Sequence, residues 1–215
     1  ITTSAGIVEM HFIGHGSLMF KLNDLVIHID PVRSSGSYAN LPKADLILVT
    51  HEHYDHLDME LLNEIKKQGT VMLCNAASAE RVKWAETMKA GDKRVVQDII
   101  IEAVPAYNIK NLCTSGQPFH PKGVGNGYVL TFGDKRFYIA GDTENIPEMA
   151  NLKNIDVAFL PMNLPYTMTP EMAAEAARSF NPKILYPYHY SDTNTLTLAG
   201  LLKDTNIEVR IRNLK

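Results

Sequence analysis

The run "ADLILVTHEHYDHLD", Ala44 to Asp58, changes character at Thr50. Up to that point it is almost wholly apolar, the composition of a strand buried on both faces. Beyond it, the ten residues Val49 to Asp58 hold three histidines and three acids. His51, His53, Asp55 and His56 form an HxHxDH pattern directly at the strand's exit. Neutral imidazole and carboxylate are ligands that suit zinc and related divalent ions, and short spacing lets one turn present several to a common point. In an extended segment His51 and His53 face the same side, whereas Asp55 and His56 must be turned toward a neighbouring point. One motif can thus feed two metal ions. A solvated polar loop is the plain alternative, but such loops rarely gather four good ligands at the end of a buried strand.

The motif cannot complete two coordination spheres alone, so further His and Asp residues are expected at other strand ends. Three candidates occur: His120 in an irregular loop, Asp142 closing "FYIAGD" and His189 closing "ILYPYH". Each alone would be an ordinary structural or solvated residue. Their shared placement after strands, together with HxHxDH, makes them candidates as a group.

Working outward, "IVEMHFI", "SLMFKL" and "LVIHID" read as an antiparallel meander punctuated by Gly14, Gly16 and Asn23-Asp24. After the histidine cluster, "DMELLNEIKKQG" reads as a helix with Asp58 as N-cap and Gly69 as its stop. "VMLCN" reads as a strand, "SAERVKWAETMKAG" as a helix ending at Gly91, and "DIIIEAVPA" as a strand. The aperiodic segment from Tyr107 to Gly127 is long for a connection, a property of functional or disordered loops. Its glycines 123, 125 and 127 lack the strand-to-helix setting of a dinucleotide fingerprint and read as a flexible approach to the next hairpin. "YVLTF" and "KRFYIAGD" form that hairpin around Gly133-Asp134. "IDVAFLP", "KILYPYH" and "IEVRIR" read as later strands and "LTLAGLLKD" as a short helix. "TPEMAAEAARSF" is a helix with Thr169 as N-cap and Pro170 at its first position. No repeat or linker divides the chain, so residues 1–215 are expected to form one α/β domain.

The chain has 45% hydrophobic and 21% charged residues, ordinary for a globular protein. A net charge of -3 and the lack of a Lys/Arg-rich arm disfavour nucleic acid as a partner, leaving a small molecule. Cys74 and Cys113 have no metal-like spacing and read as buried free thiols. No apolar run is long enough to span a membrane. The sequence starts at Ile1 and not Met, so a removed leading segment is expected, and both a cytoplasmic and an exported location stay open. Oligomeric state is not legible.

On "HEHYDH", Asp142 and His189, the sequence resembles the metallo-β-lactamase superfamily, from "IDP" at Ile29 to Pro31 through His189. The resemblance implies a four-layer αββα sandwich with the metals at one edge of the two sheets. It casts His51, His53, Asp55 and His56 as the main metal motif, Asp142 as a bridging carboxylate and His189 as the last ligand. The Gly14–Gly16 turn and "HIDP" resemble more narrowly the branch of ascorbate 6-phosphate lactonases and their uncharacterised relatives. Relatives often carry a ligand histidine after a "PAY"-like strand end, but here "PAYN" gives Asn108, and His120 is taken as the replacement. Oxygen-reducing di-iron relatives carry a glutamate at the position of His53, so His53 favours the hydrolytic kind.

The expected activity is therefore metal-dependent hydrolysis. A hydroxide bound to two divalent ions would attack a lactone or other ester, possibly a phosphorylated one, with Asp55 and Asp142 positioning it. Zinc is the expected metal, with manganese, iron or nickel as alternatives. His15 and Tyr166 are candidates for delivering a proton to the leaving group, Tyr166 and Lys122 for contacting substrate, and Asp30 for orienting a ligand histidine. Two alternatives stand: a metal-dependent phosphodiesterase, and a non-catalytic metal-binding or interaction protein on the same scaffold.

Overall fold

The computed structural model describes residues 1–214. Its first sheet runs, in spatial order, through β1 (Thr2–Thr3), β2 (Gly6–Gly14), β3 (Ser17–Leu22), β4 (Leu25–Ile29), β5 (Ala44–Val49), β6 (Lys66–Cys74) and β7 (Glu86–Thr87). The pairs from β1 to β4 are antiparallel and those from β4 to β7 parallel. The second sheet repeats the scheme. β8 (Lys93–Val96), β9 (Ile99–Ala106), β10 (Gly125–Phe132) and β11 (Lys135–Ile139) pair antiparallel. β12 (Val157–Pro161), β13 (Ile184–Tyr188) and β14 (Glu208–Val209) continue in parallel. Parallel neighbours need a crossover, and four of these crossovers carry helices. They are α1 (Met59–Ile65), α2 (Ala76–Arg81), α3 (Pro170–Phe180) and α4 (Thr195–Leu201).

Strand alternation assigns each face to a layer. Leu46 and Leu48 of β5 join Phe20, Ile27 and Ile29 against Tyr128, Leu130, Phe137 and Phe159 of the other sheet. Ala44, Ile47 and Val49 turn the other way, to Leu61, Leu62 and Ile65 of α1. On the far side, Phe180 of α3 meets Tyr138 edge-on at 5.6 Å, and Ala173, Ala174 and Ala177 are small enough for close approach to the sheet. The result is the expected αββα order. Phe20 binds the two sheets, with the rings of Phe132, Phe137 and Phe159 at 6.3, 5.7 and 5.8 Å. Phe20→Ala is expected to cost about 3–5 kcal/mol of unfolding free energy in urea titration. A loss under about 1 kcal/mol would mean the inter-sheet core is not packed this way.

Both helix starts follow their sequence signals. Asp58 accepts from the amides of Glu60 and Leu61, and Thr169 accepts from that of Met172, with Pro170 next. Several other boundaries differ from expectation. The helix from Asp58 ends at Ile65, because Lys66 and Val71 to Cys74 pair with β5, with Gly69 in the register shift between them. The next helix stops at Arg81, since Glu86–Thr87 is claimed by the open edge of β6 and Met88 donates to Cys74 O at 2.7 Å. Residues 93–96 form an unforeseen strand, turned into β9 at Gln97-Asp98, both at positive φ as hairpin turns of this type require. Of the expected C-terminal strand, Glu208–Val209 pair with β13 and Arg210 N still donates to Leu185 O at 2.8 Å. Gly125 and Gly127 are strand residues of β10, not flexible loop; a Cβ on Gly127 would lie 2.8 Å from Ala140 O. Cys74 is buried as expected, whereas Cys113 is only half-buried. No helix among the described residues is long and apolar enough to cross a membrane.

The two sheets are joined along one edge by hydrogen bonds from strand ends. Asn126 N donates to Thr50 O at 2.9 Å and the Tyr128 hydroxyl to Val49 O at 2.8 Å. His189 N donates to His15 O at 3.1 Å, and within the second sheet Gly141 N donates to the Tyr188 hydroxyl at 2.9 Å. These bonds bring the ends of β5, β11 and β13 to one place.

Candidate metal centre

At that edge Thr50 ends the buried run and the chain turns through His51–His56, closed by His56 N and Leu57 N donating to His53 O at 3.0 and 2.9 Å. The turn divides the motif. His51 Nε2 lies 3.1 Å from His53 Nδ1, and His53 Nδ1 lies 3.2 Å from His120 Nε2. On the other side His189 Nε2 and His56 Nε2 lie 3.5 and 3.9 Å from Asp55 Oδ2. Asp142 stands between the groups. Its Oδ2 is 3.4 Å from both His120 Nε2 and His189 Nε2 and 4.0 Å from His51 Nε2, while its Oδ1 is 3.4 Å from His56 Nε2. The structure thus gathers His51, His53, Asp55, His56, His120, Asp142 and His189 in one place.

The backbone is bent to achieve this. His15, Asp30 and His189 all sit at positive φ, 50°, 44° and 46°. This region is sparsely used by non-glycine residues and recurs where a site over-determines the conformation. Gly16 lets the His15 turn pass over the site, since a Cβ there would lie 3.0 Å from His56 Cε1. Asp30 is fully buried and places Oδ2 2.8 Å from His56 Nδ1. It also accepts from Thr50 N and Thr50 Oγ1, each at 2.7 Å. Thr50 Oγ1 is in turn 3.0 Å from His51 Nδ1. One acid and one hydroxyl therefore hold the far nitrogens of two histidines and turn their Nε2 atoms inward.

The donor set fits divalent metal. His56 Nε2, His189 Nε2 and Asp142 Oδ1 are buried without a hydrogen-bond partner. Buried polar atoms left unpaired cost about 1–3 kcal/mol each, a cost that a cation among them removes. His51, His53 and His120 can bring ligand atoms within 4.8 Å of one another, and so can the group His15, Asp55, His56 and His189. Nitrogen pairs near 3.1–3.2 Å are close to the roughly 3.3 Å edge of a tetrahedron with Zn–N bonds of about 2.0–2.1 Å.

Charge favours the ligand forms of His51, His120, Asp142 and Asp55, whereas His56 is held toward its protonated form until a cation displaces that proton. Burial holds His51 well below the usual imidazole range and pushes His120 down to about 4, so both stay neutral. Burial opposes the charge on Asp142, but neighbouring His189 and His56 outweigh it and keep the carboxyl well below its usual range. Burial likewise opposes a charged His56, and Asp142 and Asp30 more than offset it, so His56 is raised. Asp55 is lowered because contacts with His15 and His189 outweigh its burial.

The remaining sequence candidates are placed unequally. His15 Nε2 lies 3.2 Å from Asp55 Oδ2, with its ring 3.7 Å from that of His189. Tyr166, 43% exposed, borders the cleft above the cluster and meets Phe119 edge-on at 4.9 Å. Lys122 is not brought to the cleft. Its Nζ is held by Glu148 Oε1 at 2.7 Å and the Tyr107 hydroxyl at 3.2 Å. Sequence reasoning missed Thr50, Tyr54 and Phe119 as parts of the site, and it treated Asn108 only as a lost ligand. The placement of Thr50 between the buried strand and His51 was the one available signal.

A strand-end centre of histidines and aspartates on an αββα sandwich defines a class, and comparison with known proteins agrees. The family described as "Beta-lactamase superfamily domain" matches residues 9–189, a span that includes every residue gathered at the centre. The chain belongs to the metallo-β-lactamase superfamily, among its metal-dependent hydrolases. It is 35% identical over 196 residues to a UPF0173 metal-dependent hydrolase of Enterococcus faecalis, covering 85% of this chain and 87% of that protein. A crystal structure from Parabacteroides distasonis, described as a candidate metal-dependent hydrolase, superimposes with a TM-score of 0.95 at 48% identity, covering 100% of this chain and 97% of that one. Igni18, a metallo hydrolase of Ignicoccus hospitalis, shares the fold at TM-score 0.79 and 22% identity, covering 96% and 95% of the two chains.

Proposed function

We propose that the chain hydrolyses a lactone or other uncharged ester at a centre of two divalent ions, zinc in the first instance. The observation that carries this reading is the position of Asp142, whose two oxygens face histidines of both ligand groups at 3.4 Å. His51, His53 and His120 would hold one ion, Asp55, His56 and His189 the other, and Asp142 both. Ions held there lower the pKa of water and polarise the bond under attack. Asp30 would keep the His56 ring in register through its Nδ1. Asp30→Ala is expected to weaken metal binding by about 10- to 100-fold, measured by chelator competition, and unchanged affinity would remove Asp30 from this role.

The cleft of about 510 Å³ over the centre is bordered by His15, Tyr54, Asp55, Phe119, Asn163 and Tyr166, among others. His15 and Tyr166, which border the cleft, would pass a proton to a leaving oxygen. Among the described residues no lysine or arginine borders this cleft, and Lys122 is already paired with Glu148. A phosphate carried away from the proposed ions would therefore meet a wall that offers no cationic side chain. This favours a neutral ester over the phosphorylated form and over a phosphodiester, which remains the second reading because the same metal pair serves attack at phosphorus.

A panel of neutral lactones, phosphorylated lactones, thioesters and phosphodiesters, assayed with metal-loaded protein and with His53→Ala, separates these readings. Neutral lactones are expected to turn over best, with the activity lost in His53→Ala. Preference for phosphodiesters would reverse the assignment, and activity retained by His53→Ala would remove it from the centre.

A further inference from the structure

We infer that Asn108 is a positioning residue that makes the loop-borne His120 a metal ligand, and that Glu144 braces the segment carrying Asn108. The inference rests on His120 being a ligand, as proposed above. The segment between β9 and β10 forms no strand; its own pairing is the bridge between Leu112 and Pro118 with the bonds Phe119 N to Asn111 O at 3.3 Å and Cys113 N to Gln117 O at 2.8 Å. A histidine there has no strand to aim it. Asn108 supplies the aim: its backbone N donates to His120 O at 2.8 Å, and its Oδ1 accepts from His120 N at 2.8 Å.

The same Oδ1 lies 2.7 Å from His120 Nδ1. An amide oxygen can only accept, so this contact places the ring hydrogen on Nδ1. The lone pair of Nε2 is then left facing His53 Nδ1 at 3.2 Å and Asp142 Oδ2 at 3.4 Å. The amide cannot be turned round. Its Nδ2 donates to Tyr166 O at 2.8 Å, and a flip would set oxygen against that carbonyl and NH₂ against the amide of His120.

Glu144 fixes the other side of the loop. It is buried, and its carboxylate accepts from Lys110 N at 3.0 Å and Asn111 N at 2.6 Å, with Asn108 Nδ2 at 3.4 Å. Its own N donates to Tyr107 O at 3.0 Å. A buried carboxylate is tolerated when hydrogen bonds satisfy it in this way. His51 and His53 sit on the strand exit, and Asp55, His56 and His189 are held by other elements. Asn108 touches His120 and no other residue of the two ligand groups, so loss of its side chain should weaken one metal site selectively.

The test begins with nitrogen-15 NMR of the histidine rings in metal-free wild-type protein. The hydrogen of His120 is expected on Nδ1; finding it on Nε2 overturns the inference without any variant. Metal titration by calorimetry then compares Asn108→Ala, His120→Ala and the double variant. Asn108→Ala is expected to weaken one of two binding events by about 10- to 100-fold. Adding it to His120→Ala should cost nothing further, since a residue that acts through another is non-additive with it. Additive losses would reduce Asn108 to a structural role and overturn the inference. Undiminished binding in His120→Ala would sink the ligand reading by itself, whatever the ring tautomer, and the positioning role with it.

Discussion

Asp142→Ala is expected to lower kcat/KM by about a thousandfold or more, corresponding to roughly 4 kcal/mol of lost transition-state stabilisation. The carboxylate is 5% exposed and is the one acid between the two histidine groups among the described residues. It is kept ionised against its burial by His189 and His56. Removing it leaves those rings facing a gap and separates the halves of the centre. Asp142→Asn keeps the shape but not the charge, so it should lose nearly as much. Steady-state kinetics on the best ester of the panel, with circular dichroism to confirm folding, measures both. A fall of less than about tenfold in either variant would show that Asp142 is not central to the chemistry.

Chelation is expected to have the second large effect, on stability. Metal-free protein keeps His56 Nε2, His189 Nε2 and Asp142 Oδ1 buried without partners at the junction of the sheets. An ion present at a thousandfold excess over its dissociation constant stabilises the folded state by about 4 kcal/mol, provided it binds the unfolded chain weakly. For a chain of this size that is about 10 °C in Tm. Thermal unfolding with and without chelator should show the shift, and adding zinc back should restore it. An unchanged Tm would mean the cluster is satisfied without metal.

Much of the centre was legible because its ligands follow buried strands. The nearly all-apolar β5 fixed the exit that presents His51–His56, and Asp142 and His189 were readable as the polar ends of similar runs. Caps were equally local: Asp58, and Thr169 with Pro170, announce their helices. What escaped was set by partners distant in sequence. Lys66-Lys67-Gln68-Gly69 looks like a helix tail, yet the neighbouring edge of β5 makes it a strand. Lys122 looked like an anion contact until Glu148, on another connection, claimed it. Asn108 looked like a missing ligand, and only its spatial contact with His120 gives it another role.

The most direct measurement is the metal content per chain after saturation with zinc and removal of the excess, determined by inductively coupled plasma mass spectrometry for wild type and Asp142→Ala. The two-ion centre predicts two zinc ions per wild-type chain and a clear loss in the variant. One ion or fewer in wild type, or a content that Asp142→Ala leaves unchanged, would contradict it.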